Sequence, residues 1–304
     1  MTRMHRDRVI PRKSSPHLRD ETKPHSRFLA IARRVRWLFI IGIGGILSNG
    51  YVKVFSTKTI YHGPLKAFCV PFLNCHACPT AFSSCPIGIL QSHAVYRKWP
   101  ILLTGFLGTV GCTVGRAACG WLCPFGWLQD VMHKIKSKKF GIPKPLLKMK
   151  YVTLVVLAVL LPFATAKHWF SWLCPWGTVQ AGIPWVLWNP VNPTIGEPVI
   201  SPDMLGWHYV LKIAVLAGFL VWFILAKRPF CRTACPLGAI YSLFNRFSFL
   251  QMNVKGACRE CGLCRKVCPM DIHIASEPKS PECIRCLECT VCKRVNVEWG
   301  LRHG

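Results

Sequence analysis

Acidic side chains are scarce here: twelve Asp and Glu stand against thirty-nine Lys and Arg in 304 residues, a formal net charge of +27. Such a balance first raises nucleic-acid binding. The basic residues argue against it, because they fall in blocks beside apolar segments, as the positive-inside bias asks, and not on one patch of a folded domain. A second absence is any Lys or Arg between Lys167 and Lys212, which marks an external loop. A third is any pair of histidines inside an apolar segment, so a helix-held haem has no ligands. What the chain has in quantity is apolar residues, 51%, and cysteine, eighteen in all. Disulfides are the ordinary use of cysteine in a small secreted chain. The C-x2-C and C-x3-C-P groupings seen here favour metal instead.

One phrase organises the chain. The stretch Gly115 to Gln129, GRAACGWLCPFGWLQ, ends an apolar segment with two cysteines four apart, the second followed by Pro-x-Gly. The phrase returns as CPIGILQ from Cys85, as CPWGTVQ from Cys174 and as CRTACPLGAIY from Cys231. A thiolate followed by proline and glycine reads as a metal-ligand loop, with the two residues turning the backbone away from a cluster.

The expected fold is an all-α membrane protein, four transmembrane helices in two hairpin repeats, with a C-terminal bacterial-type two-cluster ferredoxin domain of α+β class. Residues 1–36 hold eleven Lys and Arg, three acids and three prolines, and are expected to form a disordered cytoplasmic arm. Residues 37–245 form the membrane domain, its helices at about Trp37–Phe55, Ile101–Ala118, Tyr151–Ala166 and Tyr209–Ala226. Gly42, Gly44 and Gly45 point to close packing of the first helix. Seven lysines and no acid between Lys134 and Lys150 fix that loop as cytoplasmic. The tryptophans Trp169, Trp172, Trp176, Trp185, Trp188 and Trp207 read as an interfacial belt or as the wall of a pocket. The ferredoxin domain covers residues 246–304, and both termini lie in the cytoplasm, at the cell inner membrane.

Cys258-x2-Cys261-x2-Cys264-x3-Cys268-Pro269 is the bacterial ferredoxin run in full. Cys283, Cys286, Cys289 and Cys292 form a second run, one residue short before its last cysteine. In two-cluster ferredoxins the fourth cysteine of each run ligates the other cluster. One 4Fe-4S cluster is then expected on Cys258, Cys261, Cys264 and Cys292, the other on Cys283, Cys286, Cys289 and Cys268. Topology sorts eight more cysteines into an inner-face set, Cys119, Cys123, Cys231 and Cys235, and an outer-face set, Cys75, Cys78, Cys85 and Cys174. Zinc or free thiols remain the alternative for the inner set, and disulfides for the outer. Cys69 and Cys112 are left over, Cys112 as a small buried thiol within the second helix.

On these motifs the chain resembles the polyferredoxin-type membrane proteins that include NapH-like quinol dehydrogenase subunits and the membrane halves of NosR-like and CcoG-like proteins. The resemblance rests on the pairs Cys119/Cys123 and Cys231/Cys235, on four helices and on the ferredoxin domain that follows. It implies an electron carrier of a respiratory chain, an oxidoreductase subunit among other redox subunits, linked to the quinone pool or to a redox partner. The external C-x2-C-x6-C-P at Cys75, Cys78 and Cys85 departs from the minimal motif.

The leading expectation is therefore an iron-sulfur subunit passing electrons between a quinone or external redox partner and the cytoplasmic ferredoxin-type clusters. Two rivals remain: an external metal-ion reductase working through Cys75 and Cys78, and a membrane redox sensor signalling through the N-terminal arm. A hydrocarbon core of about 30 Å separating the inner and outer sets is the difficulty for the first. Gln129, Asp130 and His133 near the inner motif, and Gln180 and His168 near the outer, are candidate quinone contacts or plain interfacial residues. No catalytic base is assigned. Trp121 and Trp127 read as membrane anchors.

Overall fold

The computed structural model describes residues 27–49, 63–189, 206–254, 261–292 and 294–300. Residues 1–26 of the expected arm, the end of the first expected helix and Cys258 lie outside them. Helix α1 (Arg27–Phe39) continues into wider π-type turns over Ile40–Leu47. Helix α2 (Pro86–Val95) and helix α3 (Ile101–Val114) follow, then α4 (Pro124–Met132). The two long helices are α5 (Lys144–Thr165) and α6 (Trp207–Leu225), with α7 (Pro236–Phe244) after them. The C-terminal domain carries β1 (Leu250–Val254) paired antiparallel with β2 (Val295–Trp299), Leu250 opposite Trp299.

Among the described residues, α5 and α6 are long and apolar enough to cross a membrane, while α3 is apolar but shorter. Only 17% and 11% of their apolar windows are buried. Their valines and leucines project outward, Val152, Val155, Val210 and Val221 among them. Helices that turn an apolar face away from the core need an apolar surrounding.

The N-terminal helix differs from expectation. It begins at Arg27, inside the stretch expected to be disordered, and its helical turns end at Leu47. The cause is electrostatic and apolar together: Arg36 pairs with Glu288 at 3.1 Å and with Asp130 at 3.9 Å, while Leu29 and Ala32 pack on the ferredoxin-like core. Of its three glycines only Gly44 meets a close neighbour, since a Cβ there would stand 1.9 Å from the Leu122 carbonyl. Cys112, expected to be buried, is exposed on α3.

One core joins the helical segments N-terminal to β1: Phe72, Ile87, Leu107, Phe125, Phe223, Phe230, Leu237 and Tyr241 pack in one cluster with Cys85, Cys123, Cys174 and Cys235. The cysteine loops therefore lie inside the protein rather than at its rim.

Candidate metal centres

Each Cys-Pro-x-Gly phrase starts a helix. Cys85, Cys123, Cys174 and Cys235 occupy the N-cap in extended conformation, and the following proline takes the first helical position. Proline fits there because that N–H has no helical partner. The N–H of the glycine three residues on points to the cysteine sulfur: Gly238 N to Cys235 Sγ at 3.3 Å, and likewise Gly88, Gly126 and Gly177 to theirs. The loop expected from the sequence is thus a helix N-terminus, which favours a thiolate.

The inner set is built on a swap between the two repeats. Cys119, Cys123, Cys231 and Cys235 lie close enough for each to feel the others' charge. Arg116 and Arg228 each precede the first cysteine of their motif by three, and both are fully buried. Arg116 donates to the Cys231 carbonyl at 3.2 Å, and Arg228 to the Cys119 carbonyl at 3.3 Å. A Cβ on Gly126 would stand 2.9 Å from Arg228 Nη1, and one on Gly238 3.0 Å from Arg116 Nη2. Glycine is needed because the opposite arginine fills that space.

Both arginines have carboxylate partners. Arg228 grips Asp130 through Nε at 2.7 Å and Nη2 at 2.5 Å. Arg116 holds Glu282 at 3.0 Å, and Lys150 pairs with the same carboxylate. Burial alone raises the Glu282 carboxyl, but Arg116 and Lys150 reverse this and hold it below its ordinary value. Two buried cations beside four thiols are the compensation that a negatively charged thiolate site requires.

The outer set gathers as well. Cys75, Cys85 and Cys174 line one small cavity, and Cys78 lies within charge reach of Cys75 with its sulfur 3.0 Å from Thr80 Oγ1. Burial, then neighbouring cysteines, pushes the free Cys75 thiol up to about 12. Cys78 is 3% exposed. Cys75 is partly exposed and Cys78 buried, so the two thiols are not open as a pair. Cys69 sits within charge reach of Cys85, and no described cysteine is in a disulfide.

Glutamines six residues after the motif cysteines tie the loops together. Gln129 Nε2 donates to Cys231 Sγ at 3.2 Å. Gln180 Oε1 accepts from the Cys75 N–H at 2.7 Å, and Gln91 Oε1 accepts from the Phe170 N–H at 3.0 Å. Gln129 and Gln180, candidate quinone contacts in the sequence, are therefore buried braces. Asp130 is held by Arg228, and His133 Nδ1 lies 3.3 Å from the Phe223 carbonyl.

In the C-terminal domain Cys268, Cys283, Cys286 and Cys289 line one cavity, the combination expected from cross-ligation. Cys264 is buried, Cys292 half-buried and Cys261 exposed. This domain seats directly on the inner motif: a Cβ on Gly120 would meet the Ile284 carbonyl at 2.5 Å and Cys286 Cα at 3.6 Å. Trp121, expected to be a membrane anchor, instead donates to the Arg285 carbonyl at 3.0 Å.

The family model described as a 4Fe-4S binding domain matches twice, over residues 98–143 and 207–254. Each match holds one Cys-x3-Cys-Pro motif. An uncharacterized protein of Methanocaldococcus jannaschii is 29% identical over 71% of this chain and 85% of its own length. The methylamine utilization ferredoxin-type protein MauN of Paracoccus denitrificans is 28% identical over 60% of each chain. The putative electron transport protein YccM of Escherichia coli is 26% identical over 66% of this chain and 54% of its own. The chain is thus similar to proteins named as ferredoxin-type and electron-transport proteins, and relatives also include NirI of Paracoccus denitrificans, 33% identical over 57% of this chain and 24% of its own length. It spans less than two thirds of MauN and YccM. No solved structure matches it.

The residues fit the cluster that this family model describes. Among the described residues no three His, Cys, Asp or Glu side chains converge on a point fit for a single ion. Buried cysteine sulfurs with N–H donors beside them are the donor chemistry that an iron-sulfur cluster takes. Sequence reading missed Arg116 and Arg228, although their shared offset from the two cysteine pairs was visible in the repeat. It also missed His76, whose ring lies 2.2 Å from where a Gly88 Cβ would be. Burial, then His168, Lys66 and Lys212, holds that imidazole neutral, its pKa lowered to about 4.

Proposed function

We infer that this ferredoxin-type protein is a membrane-integral electron carrier whose four thiolate sets form a line from the C-terminal domain into the membrane domain. The observation that carries the reading is the seating of Cys286 against Gly120, which puts the cavity lined by Cys268, Cys283, Cys286 and Cys289 next to Cys119. When bound, iron-sulfur clusters carry one electron each, with potentials set by charge, hydrogen bonds to sulfur and exposure. The chain's own residues supply those settings. The glycine N–H groups and Gln129 donate to sulfur, Arg116 and Arg228 place positive charge beside the inner set, and the aromatic core excludes water.

Four helices crossing the inner membrane, with both termini in the cytoplasm, are part of this proposal. The lysine run of residues 134–150 and the loop free of Lys and Arg after Lys167 support that orientation. Electrons enter from, or leave to, a soluble partner at the C-terminal domain. A cleft of about 480 Å³ there is lined by Arg33, Arg36, Lys134, Lys227 and Lys266 against two acids, Asp130 and Glu288, and reaches Cys268. This is a surface for an acidic redox partner.

At the other end a cavity of about 800 Å³ opens beside His76, the residue after Cys75. Its walls include Trp169, Trp172, Trp207, His168 and His208. Aromatic walls with a few polar groups suit a quinone head, with His168 and His208 as its hydrogen-bond partners. The test is anaerobic mixing with a water-soluble quinol, followed by EPR. The reading expects reduction of an iron-sulfur signal, and a higher quinol requirement in His168→Ala and Trp172→Ala at unchanged iron content. Reduction by dithionite but not by any quinol removes the quinone and leaves a protein partner at this end.

A further inference from the structure

The two membrane-domain cysteine sets, expected at opposite faces of a bilayer, touch through main chain and rings. Leu73 links them. Its N–H points to Cys123 Sγ, and its carbonyl accepts from Trp176 Nε1 at 2.9 Å. Leu73 precedes Cys75 by two positions and Trp176 follows Cys174 by two, so both belong to the outer set's loops. Trp176 in turn stacks on Phe125, two residues beyond Cys123, with ring centroids 5.1 Å apart and planes 30° apart. Each set thus supplies part of the other's wall.

Tyr241 closes the same space from the second repeat. It is fully buried and packs in one core with Cys85, Cys123, Cys174 and Cys235. Its hydroxyl has no hydrogen-bond partner among the described residues. It stands where the other three copies of the motif carry glutamine.

We propose that these contacts make the two sets one electron path within this chain, coupled through the Leu73 backbone and the Trp176–Phe125 stack, with no haem or quinone between them. The inference rests on reading both sets as iron-sulfur sites. One electron leaves the centre on Cys119, Cys123, Cys231 and Cys235, which is oxidised by one unit. It enters the centre on Cys75, Cys78, Cys85 and Cys174, which is reduced by one. No bond or proton changes place, and the reverse step balances equally. Electron tunnelling weakens most steeply across non-bonded gaps, and here the Leu73 backbone, its carbonyl hydrogen-bonded to Trp176 and its N–H facing Cys123 Sγ, narrows the gap with a ring stack beside it.

The test is EPR on the anaerobically purified full chain, in two parts. Fully reduced wild type is expected to show magnetic interaction between the two membrane-domain centres, and it should persist in Trp176→Phe and Tyr241→Phe. Freeze-quench after a limiting reductant should show fast equilibration between the centres, lost in Trp176→Leu at unchanged iron content. Phe125→Leu serves as the second variant if Trp176→Leu loses iron. Two full but magnetically isolated centres, or equilibration as fast in Trp176→Leu as in wild type, overturns the proposal. Iron missing from one set in the wild type instead refutes the iron-sulfur reading beneath it, and the iron count separates the two failures.

Discussion

Replacing Arg228 by Met is the sharpest probe of the repeat swap. Arg228 is 1% exposed and makes a two-pronged pair with Asp130, which keeps 19% of its side-chain surface. Removing one partner of a buried pair costs about 3–5 kcal/mol. Asp130 retains some water and has Arg36 at 3.9 Å as a second cation, so the lower end applies, about 3 kcal/mol. The double variant Arg228→Met/Asp130→Leu leaves no orphaned carboxylate. It should recover all but about 1 kcal/mol, the share of the Cys119 carbonyl that loses its donor. The assay is denaturant unfolding in detergent for wild type, both single variants and the double, with iron counted in each. A second readout follows from charge: without this cation the reduced state of the inner centre is less favoured, and its midpoint potential falls. A double variant as unstable as Arg228→Met, or a potential that stays in place with iron intact, refutes the reasoning.

Three further outcomes follow. Gly88→Ala sets a Cβ 2.2 Å from His76 Nδ1 and should cost about 1–3 kcal/mol by overpacking, whereas Gly105→Ala, with nothing within 4 Å, should cost nothing measurable by the same unfolding assay. Gln129→Leu removes the N–H donated to Cys231 Sγ at 3.2 Å; redox titration should show a lower inner-centre potential, and an unchanged value would discount that bond. Reduction by an acidic soluble donor should slow as salt shortens the screening length to about 8 Å at physiological strength, and a salt-independent rate would leave the basic cleft and the lysine run without a steering role.

Much of this was legible because ligand motifs are local. A cysteine followed by Pro-x-Gly marks where a helix starts, and Cys268 lines one cavity with Cys283, Cys286 and Cys289. The long apolar helices α5 and α6 were legible from hydropathy to within a few residues at most ends. What the sequence did not reveal depends on contacts between distant segments. Gln129 and Gln180 looked like free polar groups because the loops that they brace lie 102 and 105 residues away. Arg116 and Arg228 owe their role to a contact across the repeats, each filling the space beside the other repeat's glycine. Counting helices placed the two membrane sets a bilayer apart, since apolar length says how far a helix can reach and nothing of how deep its loops fold back. The rings of Phe125 and Trp176 meet because both cysteine loops turn inward onto one core.

The central claim is that four thiolate sets each hold a cluster, and the direct measurement is iron and acid-labile sulfide per chain in anaerobically purified protein, repeated with one cysteine of each set changed to serine. The account predicts about sixteen of each in wild type, and about four fewer when Cys123, Cys174, Cys264 or Cys286 is replaced. A wild-type count of about eight, unchanged in Cys123→Ser and Cys174→Ser, would confine the iron to the C-terminal domain and contradict the account.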